Sequence, residues 1–296
     1  CALPIAQCRP LGDRPAMTRP CDDDSEALFA CATHGGALCT VVGIDGSWSR
    51  RLGAQLAVLP DGTMRGSLAD GCLERALAQE AQSGGPARML RYGKGSPFID
   101  IRLPCGSGVD VWLDPAPAPA ALAAATQTLA GRKAAELAVG AGFVRRYLPR
   151  LRLVVLGSGP EVTALARLAA VQAVDVVIGS PKGEGGDLAL SLGTAPNLVA
   201  DPWTAIAVLF HDHEWERSLL PWALSGPAFY VGAQGGKVAR ENRTEYLAAA
   251  GLSPAHTARL KSPIGLFPGA RTPSVLALAV LAHVVAEYEA MVGDGS

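Results

Sequence analysis

The pattern of apolar and polar residues differs between the two halves of the chain. In the first half, short β-type runs such as Ala37–Gly43 and Ala54–Leu59 are separated by polar, glycine-bounded turns, which is typical of strands joined by hairpins. In the second half, wholly apolar runs at Leu151–Leu156 and Thr204–Phe210 are followed by helical patterns, which is typical of a parallel sheet covered by helices. The pattern therefore predicts an α/β protein, with an N-terminal α+β domain followed by a Rossmann-like, doubly wound parallel sheet domain.

A change of composition marks the boundary between these halves. The segment Asp114–Pro119 alternates Pro and Ala, and Ala120–Leu137 is Ala-rich and helical by propensity. We therefore predict four regions along the chain: a tail over 1–24, a cysteine-bearing domain over 25–115, a linker with a helix over 116–149, and the Rossmann-like domain over 150–296.

One stretch of the first domain, Gly66–Glu74, combines glycines, a polar turn and a cysteine. A helical pattern begins at Cys72, so its thiol is expected in the first turn of a helix, where the dipole and free backbone N–H groups favour a thiolate or a bound anion. Cys105 precedes the glycine-rich turn that starts at Gly106, which would let a ligand approach the backbone closely. For both cysteines the alternative of a buried structural thiol stays open, and Cys31 and Cys39 are expected to be such buried thiols.

Overall composition narrows the class of protein. The 296 residues are 49% hydrophobic and 18% charged, and the net charge of −1 gives no electrostatic case for nucleic acid or an anionic membrane. Residues 1–20 lack the apolar core of a signal peptide, and the apolar runs fall short of a membrane span. The seven cysteines follow no zinc-binding spacing. We therefore expect a cytoplasmic protein with reduced thiols and no membrane partner.

The second domain opens with the strand–turn–helix pattern of a nucleotide-binding unit, carried by Gly157 and Gly159. Val162 stands at the third glycine position, and no acidic residue follows the strand that ends at Ile178. The pattern thus predicts the Rossmann fold but argues against tight nucleotide or NAD(P) binding, without excluding it. His211 follows a buried strand as part of an H-x-H pair, for which metal binding and simple hydrogen bonding remain alternatives. The turn around Gly235 is either a phosphate site or a solvated loop.

Taken in order, these motifs resemble the XdhC/CoxI family of molybdoenzyme accessory factors, from about Glu26 to Glu287. In the first domain the resemblance rests on Gly46–Ser47, Arg50, Gly53–Ala54, Gly66–Ser67, Gly71–Glu74 and Leu103–Gly106. In the second domain it rests on Gly157, Gly159, His211–Asp212, Tyr230–Gly232, Gly235, Pro263–Leu266 and Gly269–Pro273.

The resemblance implies a chaperone that binds the molybdenum cofactor (molybdopterin), assists its sulfuration and inserts it into a xanthine-dehydrogenase-type apoenzyme. It favours an accessory protein over a turnover enzyme, a homodimer, and a cysteine desulfurase as a further candidate partner. It makes Cys72 and Cys105 the reactive thiols and candidate molybdenum ligands. The cofactor-binding positions that it implies are Ser47, Arg50, Gly53, Ser67, Gly71, Glu74, Gly106, Gly157, Gly159, His211 and Gly235.

The chain departs from the family pattern at several positions, and two other functions stay open beside the chaperone. Asp70 stands where the family usually has a glycine, and Pro160-Glu161 stands where a histidine is usual. An NAD(P)- or FAD-dependent oxidoreductase that uses the Rossmann domain is the main alternative. A partner-binding protein without chemistry of its own is the third.

Overall fold

The structure, a computed structural model, describes most of the chain: residues 23–69, 71–96, 106–172, 174–183 and 185–293. The chain divides into two compact units that meet in sequence between Pro149 and Arg150. The predicted tail up to residue 22, the predicted strand over 98–102, Asp70 and Cys105 all lie outside the described residues.

The first unit is an α+β unit built on an antiparallel sheet. Its helices are α1 (Asp23–His34), α2 (Cys72–Gln82) and α3 (Pro119–Ala130). Its strands are β1 (Ala37–Asp45), β2 (Gln55–Val58), β3 (Met64–Gly66), β4 (Arg88–Gly93), β5 (Gly108–Asp114), β6 (Ala135–Gly140) and β7 (Phe143–Tyr147). Five strands form one sheet in the order β3-β2-β1-β5-β4, and β6 and β7 form a separate hairpin.

Alternation along the strands of this sheet gives it two apolar faces. Cys39 and Val41 of β1 lie on one face, against Leu73 and Leu77 of α2. Leu38, which precedes Cys39, lies in the cluster on the other face, which α1, α3 and the β6–β7 hairpin complete. The helix that carries Cys72 at its start is therefore anchored to the sheet by its apolar side.

The segment predicted as a linker with a helix differs from the expectation. The helix α3 ends at Ala130, and the residues after it turn back as the hairpin β6–β7 instead of extending the helix to Leu137. Gly131 and Arg132 form this break, and Arg132 has a positive φ of 56°. Leu137 and Tyr147 of the hairpin are buried with α1 and α3, so this segment is part of the first unit's core.

The second unit is a doubly wound α/β unit. Its strands are β8 (Arg152–Gly157), β9 (Asp175–Pro181), β10 (Leu188–Leu190), β11 (Thr204–Leu209), β12 (Tyr230–Ala233) and β13 (Leu260–Lys261). Its helices are α4 (Pro160–Val171), α5 (Glu216–Ser225), α6 (Lys237–Ala249), α7 (Pro254–Thr257) and α8 (Pro273–Gly293). The strands are parallel in the order β10-β9-β8-β11-β12-β13. The predicted fold class is confirmed.

The strand order of this sheet reverses at one point, between β8 and β11. From β8 the chain proceeds outward to β9 and β10, whereas β11 starts the opposite half of the sheet. Loops that follow β8 and β11 diverge here, and ligands of open α/β sheets bind at such a switch point. The residues after Gly157 and after Leu209 are therefore the expected ligand-binding positions of this unit.

Helices cover both faces of the parallel sheet. Val155 of β8 faces the cluster that contains α4 and α8, while Val154 faces the cluster that contains α5 and α6. Within the described residues, α8 is the one helix that is long and apolar enough to cross a membrane by length and composition. The core helix of a globular domain has the same length and composition, and Val280 and Val284 of α8 are buried in the unit's core.

Candidate functional sites

The start of α2 carries an exposed thiol. Gly71 precedes the helix with a φ of 94°, a conformation that favours glycine, and Cys72 is the first helical residue. The side chain of Cys72 is exposed, and Arg75 donates from Nη2 to its Sγ at 3.2 Å. The helix N-terminus and the guanidinium together favour a negatively charged group at this position.

The carboxylate of Glu74 holds the turn that precedes this thiol. It is buried, and it accepts backbone N–H groups from Leu68 at 2.8 Å, Ala69 at 2.6 Å and Gly71 at 2.7 Å. Burial by itself raises the pKa of Glu74, but these backbone hydrogen bonds outweigh it and hold the pKa below its ordinary value. Glu74 thereby fixes the position of the helix start that presents Cys72.

A second loop is fastened to this turn. Trp48 donates from Nε1 to the carbonyl of Leu68 at 3.1 Å, and Arg50 donates from Nη2 to Oγ of Ser67 at 3.1 Å. Arg50 is otherwise exposed, so its charge faces solvent beside the turn. The structure therefore brings together the two glycine-containing loops that the sequence singled out separately.

A third segment, which begins at Gly106, joins the same cluster. Ser107 donates from Oγ to the carbonyl of Ser47 at 2.6 Å. Gly106 has a φ of 66°, and nothing lies within 4 Å of where its Cβ would be. Cys105, which precedes it, lies outside the described residues, so its distance from Cys72 stays a prediction.

Gly53 has a different surrounding from the other predicted positions of this domain. Its N–H donates to the carbonyl of Val41 at 2.7 Å, and a Cβ there would lie 2.8 Å from Cδ of Arg145. The positive φ of 84° favours glycine at this position, and the side chain of Arg145 in β7 packs closely against it.

In the second unit, Gly157 and Gly159 form the turn between β8 and α4. A Cβ on Gly157 would lie 2.8 Å from the carbonyl oxygen of Leu209 in β11, so this glycine permits two strands to lie close at the switch point. Gly159 caps α4 with a φ of 102°. Both glycines therefore shape the turn that begins the helix.

His211, after β11, lies between two polar side chains at the carboxyl ends of the strands. Its Nε2 is 3.6 Å from Oε1 of Glu161 in the first turn of α4, and its Nδ1 is 3.4 Å from Nε2 of Gln234 after β12. These residues line a cavity of about 360 Å³, together with Gly235 and residues of the 263–271 loop.

The neighbouring His213 is engaged elsewhere, with Nδ1 3.0 Å from Oε1 of Glu216. Of the two alternatives for the H-x-H pair, the contacts favour hydrogen bonding. The part of the chain that the structure describes holds no group of three or more His, Cys, Asp or Glu side chains placed to bind a metal.

The turn at Gly235 is held by a buried charged side chain. Gly235 has a φ of 141°, and a Cβ there would lie 2.9 Å from that of Ala239. Arg243 donates to the carbonyl of Gln234 and to both oxygens of Glu216, the latter at 2.6 and 2.7 Å. The turn therefore has a fixed shape imposed by α6.

Comparison with known proteins covers both units. Residues 31–93 match the family model of the XdhC and CoxI family, and residues 153–284 match that of the XdhC Rossmann domain. The molybdenum cofactor insertion chaperone PaoD of Escherichia coli (strain K12) is 34% identical over 281 residues, which cover 88% of this chain and 85% of that protein. The chain belongs to the XdhC and CoxI family.

Two further matches extend this comparison. A probable xanthine dehydrogenase subunit of Bacillus subtilis (strain 168) is 27% identical over 154 residues, 48% of this chain and 44% of that protein. A crystal structure from Bacillus halodurans, described as a xanthine dehydrogenase, has a TM-score of 0.68 at 21% identity, and the match covers 90% of this chain and 96% of that one. It shares the fold.

The structure adds residues of this XdhC and CoxI family member that the sequence reasoning missed. Arg75 contacts the Cys72 sulfur, and the spacing of three residues on a predicted helix is a signal that could have found it. Gln234 and Arg243 become visible only when β11, β12 and α6 are placed side by side. Glu161 stands out in the sequence as a departure from the family pattern, but nothing there predicts its place in a cavity.

Proposed function

We propose that this protein is a chaperone that binds the molybdenum cofactor and assists its sulfuration and insertion into a xanthine-dehydrogenase-type molybdoenzyme. The relative with 34% identity is named as a molybdenum cofactor insertion chaperone, and the B. subtilis relative is named as part of a probable xanthine dehydrogenase. The structural observation that carries the proposal is the exposed thiol of Cys72, beside Arg75 at the start of α2.

The surroundings of Cys72 suit such a cargo. A thiolate is a soft ligand for a metal that already carries sulfur ligands, so Cys72 is the candidate ligand or sulfur donor of the first unit. Arg50 and Arg75 bring two cations to the same turn, which suits the phosphate of the cofactor. Gly106 leaves open space beside this cluster, and Cys105 is the proposed second thiol.

The Rossmann-like unit does not favour the alternative of a dinucleotide-dependent oxidoreductase. Glu161 places a carboxylate in the first turn of α4, where the pyrophosphate of a dinucleotide would lie. Gly179, Ser180 and Pro181 occupy the end of β9, where an acidic residue would hold a ribose hydroxyl.

The test is direct binding of the cofactor. Purified protein is mixed with molybdenum cofactor released from a molybdoenzyme, separated by gel filtration, and assayed for molybdenum and pterin. We expect wild-type protein to retain both and Cys72→Ser to retain at least about tenfold less, since removal of one metal ligand costs more than about 1.4 kcal/mol. Cys31→Ala removes a buried thiol instead and serves as the matched control, provided that circular dichroism shows both variants folded.

Equal retention by wild type and by the Cys72→Ser and Cys105→Ser variants would reject thiol ligation. Absence of retention by the wild type would reject cofactor binding altogether. Saturable NAD(P) binding in calorimetry, with reduction of the nucleotide by a substrate, would favour the oxidoreductase instead.

The family resemblance also implies partners and a location that belong to this proposal. We propose a molybdoenzyme apoprotein as the recipient, a cysteine desulfurase as the sulfur source, and a homodimer as the working form. Cytoplasmic location is supported by Cys31 and Cys39, which are free thiols, as expected in a reducing compartment. Affinity purification with each tagged partner, and light scattering after gel filtration, check these points.

A further inference from the structure

The last helix, α8, carries apolar side chains on two opposite sides. On one side, Val280 and Val284 pack in the core of the second unit. On the other side, Val275 and Leu278 have exposed fractions of 40% and 56%. Only 28% of the most apolar stretch of this helix is buried. An apolar surface of this kind on a folded protein marks a contact with another molecule.

A neighbouring loop enlarges this apolar surface. The N–H of Leu266 donates to the carbonyl of Ala279 in α8 at 2.9 Å, so the loop lies against the helix. Leu266 is 59% exposed and Phe267, the next residue, is 43% exposed. Among the described residues, four of the eleven large apolar side chains that are exposed therefore lie in these two adjoining segments.

The exposed side of α8 is symmetric along the helix. Its residues, called the outer face here, are Val275, Leu278, Ala282, Ala286 and Glu289, and in a helix of 3.6 residues per turn all five point within about 40° of one line. Counted from Ala282, the others lie four and seven residues away in each direction. A two-fold axis through Ala282 therefore sets each member of the outer face opposite another member, which is what a contact between identical copies requires.

The pairs that this axis creates are complementary in size and charge. Leu278 meets the partner's Ala286, so a large side chain faces a small one, and Ala282 at the axis lets the two helices lie close together. The exposed Arg271, two residues before α8, comes within about one helical turn of the partner's Glu289, which is exposed as well. Antiparallel helices also place their dipoles head to tail, which is favourable.

We propose that the outer face of α8 binds a second copy of this chain, with the two helices antiparallel about Ala282. This contact rests on the proposed function only in giving a surface to its homodimer, since neither the thiol site nor the cofactor enters the argument. Arg271 and Phe267 also line the cavity of about 360 Å³ at the carboxyl ends of the strands. The partner's Glu289 is therefore expected at the rim of that cavity.

The size of the outer face sets the expected strength of the contact. A helix of 21 residues is about 31 Å long and about 10 Å wide, so α8 offers about 300 Å² on each copy before the loop is added. Stable complexes bury about 800 Å² on each partner. We therefore expect a dimer that forms reversibly at micromolar concentration, and sedimentation of the full-length protein up to about 100 μM measures it.

A charge within the outer face tests the surface. Leu278→Lys should raise the dimer Kd at least about tenfold, because each of the two copies would then bury an unpaired ammonium group. Val238→Lys is the matched control and should leave the Kd unchanged. Val238 is 69% exposed on α6, which covers the opposite face of the parallel sheet.

Reversing the charges tests the antiparallel arrangement. Glu289→Arg sets two cations against each other at both ends of the contact and should raise the Kd by about fivefold. The double variant Arg271→Glu with Glu289→Arg restores opposite charges and should return the Kd close to the wild-type value. A charge that acts only within one copy would not produce this recovery in the dimer Kd.

Cross-linking locates the axis. Ala282→Cys places two thiols next to each other across the axis, so a short bis-maleimide should join them, and peptide mass spectrometry identifies the linked pair. Ala290→Cys is the control on the same helix, because its two copies would lie about 24 Å apart along the antiparallel helices.

A wild-type protein that stays monomeric at 100 μM, a dimer that Leu278→Lys leaves unchanged, or a link at position 290 but not at 282 would each overturn this inference. So would a monomer whose outer face binds phosphatidylcholine vesicles or a molybdoenzyme apoprotein instead, with that binding lost in Leu278→Lys. Monomeric Leu278→Lys that retains the cofactor would separate the contact from the proposed function. A wild type that dimerises through α8 but retains no cofactor would count against the proposed function alone.

Discussion

Three cysteines in two kinds of surroundings illustrate how environment decides reactivity at the scale of single residues. Cys31 and Cys39 are buried, and burial raises the pKa of each thiol to about 12. Cys72 is exposed and contacts a guanidinium. The buried thiols act as small apolar groups of the core, as the sequence predicts for both, whereas Cys72 is available for chemistry.

This contrast predicts selective alkylation of the native protein. Burial raises the pKa of the Cys31 and Cys39 thiols and shields them from reagent, so iodoacetamide should label the Cys72 peptide at least about a hundredfold faster than theirs. Peptide mass spectrometry after timed quenching measures the rates. Labelling in denaturant, where all three should react alike, is the control. Comparable native rates for Cys31 and Cys72 would mean that the first unit opens readily.

Glu74 carries the second prediction at this scale, which concerns pH. Its folded-state pKa is lowered, so the stability it contributes is complete above its unfolded value of about 4.5 and is lost as the pH falls through the folded value. Glu74→Gln should therefore cost about 1.5–3 kcal/mol at pH 7 and progressively less below pH 4.5.

Urea unfolding of wild type and variant at pH 7 and pH 3.5 measures this difference. The exposed Glu136→Gln is the matched control in the same unit and should change stability little at either pH. A penalty for Glu74→Gln that is the same at both pH values would show that the charge of Glu74 is not what holds the turn.

At the scale of elements, a buried ion pair joins α5 and α6 of the second unit. Arg243 and Glu216 are both buried, and Arg243 also donates to Ser262 and to the turn before Gly235. Removing one partner of a buried pair leaves an uncompensated charge, which costs about 3–5 kcal/mol. Arg243→Ala should therefore lower the free energy of unfolding by about that amount.

Chemical denaturation of the full chain tests this value. Arg240→Ala, an exposed arginine one turn earlier on α6, is the control and should cost less than about 0.5 kcal/mol. If both variants lost the same small amount, the buried pair would contribute little net stability, and its purpose would be to shape the turn at Gly235.

The same elements show how far sequence reasoning reaches. Elements that are set by a local apolar run or by a helical spacing of apolar residues are predicted from the sequence. These are β1, β2, β8, β11, α2 and α8. The hairpin β6–β7 escapes prediction because its Ala-rich residues have high helix propensity, and packing of Leu137 and Tyr147 against α1 and α3 overrides that preference. The Arg243–Glu216 pair joins residues far apart in sequence, and charged residues of that kind are ordinarily expected on the surface.

In the candidate sites too, features set by neighbouring residues can be predicted from the sequence, whereas contacts between distant segments cannot. The position of Cys72 at the start of a helix follows from the residues next to it in the sequence, and the structure confirms that placement. The contacts of Trp48, Arg50 and Ser107 that gather three loops around it depend on how the strands pair, which no local pattern contains. The order of the motifs along the chain points to a family, but only the fold shows which motif residues face each other.

At the scale of the whole chain, each of the two units has apolar clusters made only of its own residues. The two clusters of the first unit contain only residues between Ala27 and Tyr147, and the two clusters of the second contain only residues between Leu151 and Val284. Each unit therefore buries a core of its own, which is the physical requirement for independent folding.

This division predicts that residues 150–296, expressed alone, fold into a stable unit. Both faces of its sheet are covered by its own helices, and its size is typical of single domains, so we expect a cooperative urea transition and the circular dichroism of a mixed α/β protein. The full chain, measured alongside, should then show a transition at nearly the same urea concentration for this unit. A shorter fragment that begins at Pro160 is the control, because it lacks the central strand β8 and should not fold. An isolated 150–296 unit that exposes its apolar core, seen as strong binding of a hydrophobic dye without a cooperative transition, would mean that the second unit depends on the first for its stability.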